Sequence, residues 1–145
     1  MTFLAAIPPF DGAAVLDFLA ARAIPGVEEI RDGTYRRTLA LPHGGAILEL
    51  RPGERGVDAR FTLDDPRDEP EARRRARALF GLDQDPGAVV DHFAGDPVLG
   101  PLVARRPGLR VPGAADGWDV AVRAVLGQQI SVAAARVLGG RITAA

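Results

Sequence analysis

The alternation of apolar and polar residues predicts a β-sheet in the first half of the chain. Four segments show a partial period of two, and they cover residues 27–31, 34–41, 46–51 and 57–63. In the last segment, apolar residues at 57, 59, 61 and 63 alternate with polar ones, which is typical of a strand with one buried face. Asp32-Gly33 separates the first two segments, and Asp-Gly between strands favours a tight hairpin. The pattern therefore predicts an antiparallel meander.

Apolar residues at helical spacing predict helices on both sides of these strands. The predicted helices cover residues 12–23, 66–80, 86–93 and 97–103. Asp11 and Asp85 are suited to cap the first and third, because an aspartate side chain accepts backbone N–H groups of the first helical turn. Gly81 is suited to end the second helix. The apolar run 3–7 meets Pro8-Pro9, which predicts a short strand at the sheet edge.

A helix, a corner and a second helix are predicted near the C-terminal end. Asp116 is the expected N-cap of the first helix, and we expect Gly127 to end it in the left-handed conformation that glycine adopts without strain. Ser131 is the expected N-cap of the second helix, which runs to residue 138. We expect Gly139-Gly140 to interrupt that helix, since each glycine costs ~1 kcal/mol in a helix interior.

These elements predict an α+β fold, an antiparallel sheet with packed helices, followed by helices alone. We expect an N-terminal α+β domain at residues 1–81, a helical linker at 82–106, and the start of an all-α domain at 107–145. On spacing alone, the last part is an ordinary helical hairpin.

Charge is distributed unevenly along the 145 residues. The net charge is −1, but residues 1–100 carry −5 and residues 101–145 carry +4. A phosphate-binding surface would need such a basic segment, although six arginines could equally serve solubility. All 18 basic residues are arginine, which indicates a compositional bias of the coding sequence.

Several classes of site and location are disfavoured by the sequence. The chain has no cysteine, which excludes disulfides and thiolate metal sites. No apolar run approaches the ~20 residues of a membrane span. Residues 1–7 lack the basic region of a signal peptide, so a cytoplasmic protein is expected. Asp83 and Asp85 could form an Asp-x-Asp metal site, but Asp85 is better explained as a helix cap. Neither His43 nor His92 has a partner at ligand spacing, so we expect no metal.

Two further features each have two interpretations. The arginines of the helix at 66–80, at positions 73, 74, 75 and 77, could bind DNA, but a charged helix face is normally just solvated. Phe18 lies beside the apolar face of the first helix, and core packing is its general expectation.

The amino-acid sequence of the corner segment resembles that of a known family. Residues 106–113 (Arg-Pro-Gly-Leu-Arg-Val-Pro-Gly) and 122–133 (Val-Arg-Ala-Val-Leu-Gly-Gln-Gln-Ile-Ser-Val-Ala) resemble the opening of the catalytic domain of AlkA-type DNA-3-methyladenine glycosylases, type II, which are helix-hairpin-helix glycosylases. Upstream, Pro8-Pro-Phe-Asp11 and residues 16–23 (Leu-Asp-Phe-Leu-Ala-Ala-Arg-Ala) resemble their N-terminal domain. Residues 27–28, 35–39 and 79–86 continue the resemblance in the same order.

The resemblance implies a fold, a function and site residues. The N-terminal domain would resemble one repeat of the TATA-binding protein. Phe18 would contribute an aromatic edge to the damaged-base cleft. The Gly127-Gln128-Gln129 corner would enter the DNA minor groove, where Gln129 fills the gap left by a flipped nucleotide. Arg110 and Ser131 are candidate phosphate contacts. Some family members carry leucine at the Gln129 position, and filling a base-stack gap favours a flat or apolar group.

The implied function is base excision repair of alkylated purines such as 3-methyladenine. The enzyme would flip the base and hydrolyse its N-glycosidic bond. Cationic purines suit an aromatic cleft, which binds them by stacking and cation–π attraction. The implied partner is double-stranded DNA with alkylated bases, bound by a monomer without a cofactor, in the cytoplasm with the nucleoid.

The family's phosphate-binding hairpin loop and catalytic aspartate are not found in residues 1–145. We therefore expect a portion of the enzyme that releases no base by itself. The alternative is a non-catalytic α+β module that binds DNA or a protein partner. A small-ligand-binding protein has only the generic fold class in its support.

Overall fold

The computed structural model of the protein describes residues 1–144 and confirms an α+β fold. The strands are β1 (Thr2–Ala5), β2 (Glu28–Arg31), β3 (Thr34–Leu41), β4 (Gly44–Gly53) and β5 (Gly56–Leu63). The helices are α1 (Gly12–Arg22), α2 (Glu69–Phe80, after a 3-10 turn at Pro66–Asp68), α3 (Pro86–Phe93), α4 (Leu99–Arg105), α5 (Gly117–Leu126) and α6 (Val132–Thr143).

The five strands form one antiparallel sheet in the order β1-β5-β4-β3-β2. The predicted meander is confirmed, and so is the edge position of the first strand. Asp32 and Gly33, with φ angles of 50° and 73°, form the tight turn between β2 and β3. This is the geometry for which Asp-Gly is favoured. In β5 the buried residues alternate with exposed ones as predicted.

Helices α1 and α2 cover one face of the sheet and form the hydrophobic core with it. Tyr35, Leu48, Leu50 and Phe80 are fully buried in this core. The rings of Tyr35 and Phe80 meet edge to face, with centroids 6.4 Å apart, an arrangement that aromatic pairs favour. The other face of the sheet carries the alternating polar residues.

The predicted helix caps are confirmed. The Asp11, Asp85, Asp116 and Ser131 side chains each accept a hydrogen bond from a backbone N–H in the first turn of the helix that follows. Gly81 ends α2 in the left-handed conformation. No helix among residues 1–144 has the length and apolar character needed to cross a membrane.

The segment before α5 crosses the N-terminal layer. The N–H of Asp11 donates to the carbonyl of Gly108 at 2.8 Å, and the N–H of Gly113 donates to the carbonyl of Leu79 at 3.2 Å. Ala115 is buried in the core. The start of α5 is therefore held against both core helices.

The predicted interruption of the last helix is wrong, because α6 continues through Gly139 and Gly140 to Thr143. The two glycines allow close packing. A Cβ atom at Gly139 would lie 2.8 Å from Cδ1 of Ile24, and one at Gly140 would lie 3.4 Å from Pro25. The contact with the turn after α1 offsets the low helix propensity of glycine.

Candidate functional site

The corner between α5 and α6 is a short exposed loop. Gly127 to Ile130 are all exposed, and the Ser131 hydroxyl accepts a hydrogen bond from the N–H of Ala134 at 3.2 Å. The N–H of Gly127 donates to the carbonyl of Arg123 at 2.8 Å, which closes the last turn of α5. The corner therefore projects between two capped helix ends.

The left-handed residue of the corner is Gln129. Its φ angle is 61°, whereas Gly127 has a φ of −79° and continues the right-handed conformation of α5. The expectation of a left-handed Gly127 is therefore wrong. A non-glycine residue with this backbone costs ~1–3 kcal/mol, and such strain is found most often at functional sites. Gln129 is also the residue that the resemblance assigns to the stack gap.

Phe18 lies on α1 but outside the core. Its side chain is 40% exposed, while Val15 and Leu19 on the same helix are buried. The guanidinium carbon of Arg22 lies 3.7 Å from the ring centroid, and Arg22 Nη1 donates to the carbonyl of Phe18 at 3.2 Å. The ring is therefore accessible and already stacks with a cation.

A cavity of about 190 Å³ connects Arg22 with the corner. Its lining includes Arg22, Ile24, Leu126, Gly127 and Ile130. The C-terminal end of α1, which carries Arg22, therefore lies beside the corner. Phe18 is one helical turn earlier on the same helix.

Arg110 is buried in this structure and bonds to backbone carbonyls. It is 6% exposed, and its Nη2 donates to the carbonyls of Ile7 and Pro9, the latter at 2.8 Å. Burial lowers the pKa of its guanidinium. The side chain fastens residues 107–111 to the loop before α1. A phosphate contact at Arg110 stays a prediction.

Ser131 lies at the N-terminus of α6, on the exposed side of the corner. Its hydroxyl oxygen accepts the Ala134 N–H and retains its own proton for donation. A phosphate contact at Ser131 stays a prediction.

The arginines of α2 are engaged in ion pairs. Arg74 and Arg75 share Glu71, at 2.6 and 2.8 Å, and their hydrogen bonds lower the pKa of that carboxyl to about 2. Arg73 pairs with Glu69, and Arg77 pairs with Asp83. The cluster is a neutralised helix face, which argues against the DNA-binding interpretation.

No group of His, Asp or Glu residues within residues 1–144 is arranged to hold a metal ion. Asp83 is paired with Arg77, and Asp85 caps α3. His43 Nδ1 lies 2.7 Å from Oδ1 of Asp68, whose side chain is 3% exposed. This contact joins the β3–β4 turn to the start of α2.

A buried charge network was not predicted from the sequence. Glu28 and Arg37 have side chains that are 5% and 4% exposed, and they pair at 3.5 Å. Arg123 and Asp119 of α5 complete the network, with Arg123 Nη2 at 2.6 Å from Glu28 Oε2. A signal was present, because Arg37 occupies an inward position of β3 between Tyr35 and Leu39. A charged residue at such a position requires a buried partner.

Comparison with known protein families gives one match over most of the chain. A family described as the AlkA N-terminal domain matches residues 2–116.

Curated relatives extend this match beyond residue 116. A probable bifunctional transcriptional activator/DNA repair enzyme AlkA of Mycobacterium tuberculosis is 47% identical over 137 residues, covering 94% of this chain and 28% of the relative. DNA-3-methyladenine glycosylase 2 of Escherichia coli is 36% identical over 137 residues, covering 93% of this chain and 46% of the relative. The chain thus spans less than half the length of either protein.

A solved structure supports the fold. The 3-methyladenine DNA-glycosylase from Archaeoglobus fulgidus superimposes with a TM-score of 0.83 at 21% identity. The superposition covers 98% of this chain and 49% of that one.

Proposed function

This chain belongs to the AlkA N-terminal domain family, and we propose that it is the N-terminal portion of a DNA glycosylase. The whole enzyme would hydrolyse the N-glycosidic bond of alkylated purines such as 3-methyladenine, in base excision repair. The partner would be double-stranded DNA with alkylated bases, bound by a monomer without a cofactor, in the cytoplasm at the nucleoid.

The observation that carries the proposal is the exposed corner with its left-handed Gln129. A glycosylase must extrude its target base, and a side chain must then hold the stack open. A short loop between two capped helices presents such a side chain on a rigid support. The strained φ of 61° at Gln129 marks this residue within the corner.

The exposed ring of Phe18 is suited to bind a cationic ligand. An exposed aromatic ring attracts a cation over its face, and the Arg22 guanidinium occupies that position at 3.7 Å. A cationic alkylated purine would find the same attraction on this ring.

The hydrolytic step would not be performed by residues 1–145 alone. Hydrolysis of the glycosidic bond needs a carboxylate to stabilise the cationic sugar, and the sequence contains no hairpin loop with a following aspartate of the family pattern. A purified protein of these residues is expected to release no 3-methyladenine from alkylated DNA, and measurable release would contradict this.

The domain division at residues 81 and 106 stays a prediction.

The alternative, a self-contained non-catalytic module, is disfavoured by the surface of the hairpin. Trp118 is 78% exposed, Val125 is 71% exposed and Ile142 is 56% exposed. Trp118, Leu126 and Ile142 line one surface cavity, and a contiguous apolar surface of this kind marks a place where a further protein surface binds.

The test of the corner is binding to a duplex that contains an abasic-site analogue. Fluorescence anisotropy of labelled DNA gives the affinity of the wild type, Gln129→Leu and Gln129→Ala for this duplex. The same duplex with the base present is the reference. We expect a preference for the abasic duplex that Gln129→Leu raises, because a large apolar group fills the space of the missing base better. Gln129→Ala should lower the preference, because its side chain is too short to fill that space. Gln128→Ala is the matched control from the same corner, and its effect should be equal on both duplexes. Equal affinity of the wild type for both duplexes would overturn the insertion role of Gln129.

A further inference from the structure

The turn that follows α1, residues 22–25, is the attachment point of the α5–α6 hairpin. Three side chains of the hairpin donate to carbonyls of this turn. The bonds are Arg123 Nη1 to Arg22 at 2.9 Å, Arg136 Nε to Ala23 at 2.8 Å and Thr143 Oγ1 to Pro25 at 2.9 Å. The last carbonyls of a helix lack partners within the helix. The hairpin therefore supplies a donor to the last carbonyl of α1 and to two carbonyls just after it.

Arg123 connects this attachment to the sheet and to its own helix. Its Nη2 lies 2.6 Å from Glu28 Oε2 and its Nε lies 2.8 Å from Asp119 Oδ1. With the bond to Arg22, its guanidinium has three separate partners in a fixed fork. These ion pairs raise the pKa of Arg123 against the opposing effect of burial, so the residue remains charged.

The acceptor Glu28 is itself held in place. The Tyr35 hydroxyl donates to Glu28 Oε1, and the N–H of Ile24 donates to Glu28 Oε2 at 2.9 Å. Arg37 pairs with Glu28 and also with Asp119 of α5, each at 3.5 Å. Two carboxylates and two guanidiniums thus balance in charge, and they connect the sheet with α5. A buried network of this kind has few alternative geometries.

The packing of α6 gives a second, apolar constraint. Gly139 is buried against Ile24, so the helix axis approaches the turn as closely as the backbone permits. Polar bonds and close packing therefore act on the same four residues.

We propose that Arg123 and Arg136 are positioning residues that hold the corner at a fixed place relative to Phe18. Phe18 lies one helical turn before Arg22, and Gly127 lies one turn after Arg123. The bond from Arg123 to the Arg22 carbonyl therefore joins the helical turn that carries Phe18 to the one that ends at the corner. The purpose of this link rests on the proposed function, because a base flipped by Gln129 would have to meet Phe18. The link itself is testable without DNA.

The test is a distance measurement on the 145-residue chain. Because the chain has no cysteine, Ala13→Cys on α1 and Ala133→Cys on α6 provide unique sites for spin labels, and both positions are exposed. Pulsed electron resonance then gives the distribution of distances between the labels. We expect one narrow peak in the parent protein. Arg123→Met and Arg136→Met should each broaden it, and the double variant should broaden it most.

Arg141→Met is the matched control, because Arg141 is an exposed arginine of α6 with no ion pair within residues 1–144. It should leave the distribution unchanged. Arg123→Lys should restore part of the narrow peak, since lysine keeps the charge toward Glu28 but not the three-way fork.

Amide exchange separates positioning from general loss of stability. In Arg123→Met the protection of α5 amides should fall by at least about tenfold relative to those of β3 and β4, because the charged hydrogen bonds to Arg22, Glu28 and Asp119 are lost. A narrow peak in the folded double variant would overturn the proposal, as would an equal loss of protection in the sheet. Neither measurement uses DNA, so failure of the proposed function leaves these outcomes unchanged.

Discussion

The guanidinium carbon of Arg22 lies 3.7 Å from the centre of the Phe18 ring, which is one helical turn earlier on α1. A cation at this distance over an exposed ring contributes ~0.5–1 kcal/mol. The contact keeps Phe18 in a defined position although the ring is not in the core.

Phe18→Ala should lower the free energy of unfolding by about 1–2 kcal/mol, because the 40% exposed ring is only partly buried. Leu19→Ala, one residue further on the buried face, should cost about 2–5 kcal/mol. Urea denaturation of both variants measures this contrast. An equal loss in the two variants would place Phe18 in the core.

Gly139→Ala should destabilise the protein, although alanine is the better helix former by about 1 kcal/mol. The new Cβ would lie 2.8 Å from Ile24 Cδ1 and 3.1 Å from Cγ1, and overpacking of this kind costs about 1–3 kcal/mol. Gly140→Ala is the control, since its Cβ would lie in ordinary contact with Pro25 at 3.4 Å. Thermal unfolding should show a lower midpoint for the first and an unchanged or higher one for the second.

Gln129→Gly should be more stable than Gln129→Val by about 1–3 kcal/mol, because a β-branched residue is strained at a φ of 61°. At Gln128, which has no positive φ, the same pair of substitutions should not show this difference. Urea midpoints of the four variants decide the point. A similar order at both positions would contradict a left-handed Gln129.

The contact between His43 and Asp68 should stabilise the fold at low pH. The hydrogen bond to Asp68 raises the pKa of His43 above its ordinary value of 6.5 in the folded state. The contribution is therefore complete below pH 6.5 and is lost as the pH rises through the raised pKa. The difference in urea midpoint between the wild type and His43→Gln should shrink from pH 5.5 to about pH 9. A difference that grows over this range would contradict the assigned sign.

The sheet and the helix caps were predictable because their signals are local. Alternation in residues 57–63, Asp32-Gly33 and the capping aspartates each act within a few residues of the chain. The Gly139-Gly140 segment was not, since the contact that favours it lies at Ile24, far away in sequence. The left-handed conformation of Gln129 was not predictable either. Gly127 keeps helical geometry, so the left-handed position lies two residues further along the corner.

The site was predictable only in part. The corner and Phe18 could be predicted as site residues because the sequence around them resembles that of a family. The burial of Arg110 was not predictable, because the sequence around an arginine does not tell whether its side chain faces solvent or a buried carbonyl. The Glu28–Arg123 pair needed the three-dimensional arrangement, since its members belong to different predicted domains.

The pairing of Arg123 with Glu28 joins residues 95 positions apart in the chain. Synthesis proceeds from the N-terminus at about 5–20 residues per second, so Glu28 leaves the ribosome roughly 5–20 seconds before Arg123. Every strand and both core helices are complete in that interval. The sheet layer can therefore fold first and serve as a template on which the emerging hairpin finds its orientation, rather than being shaped by it.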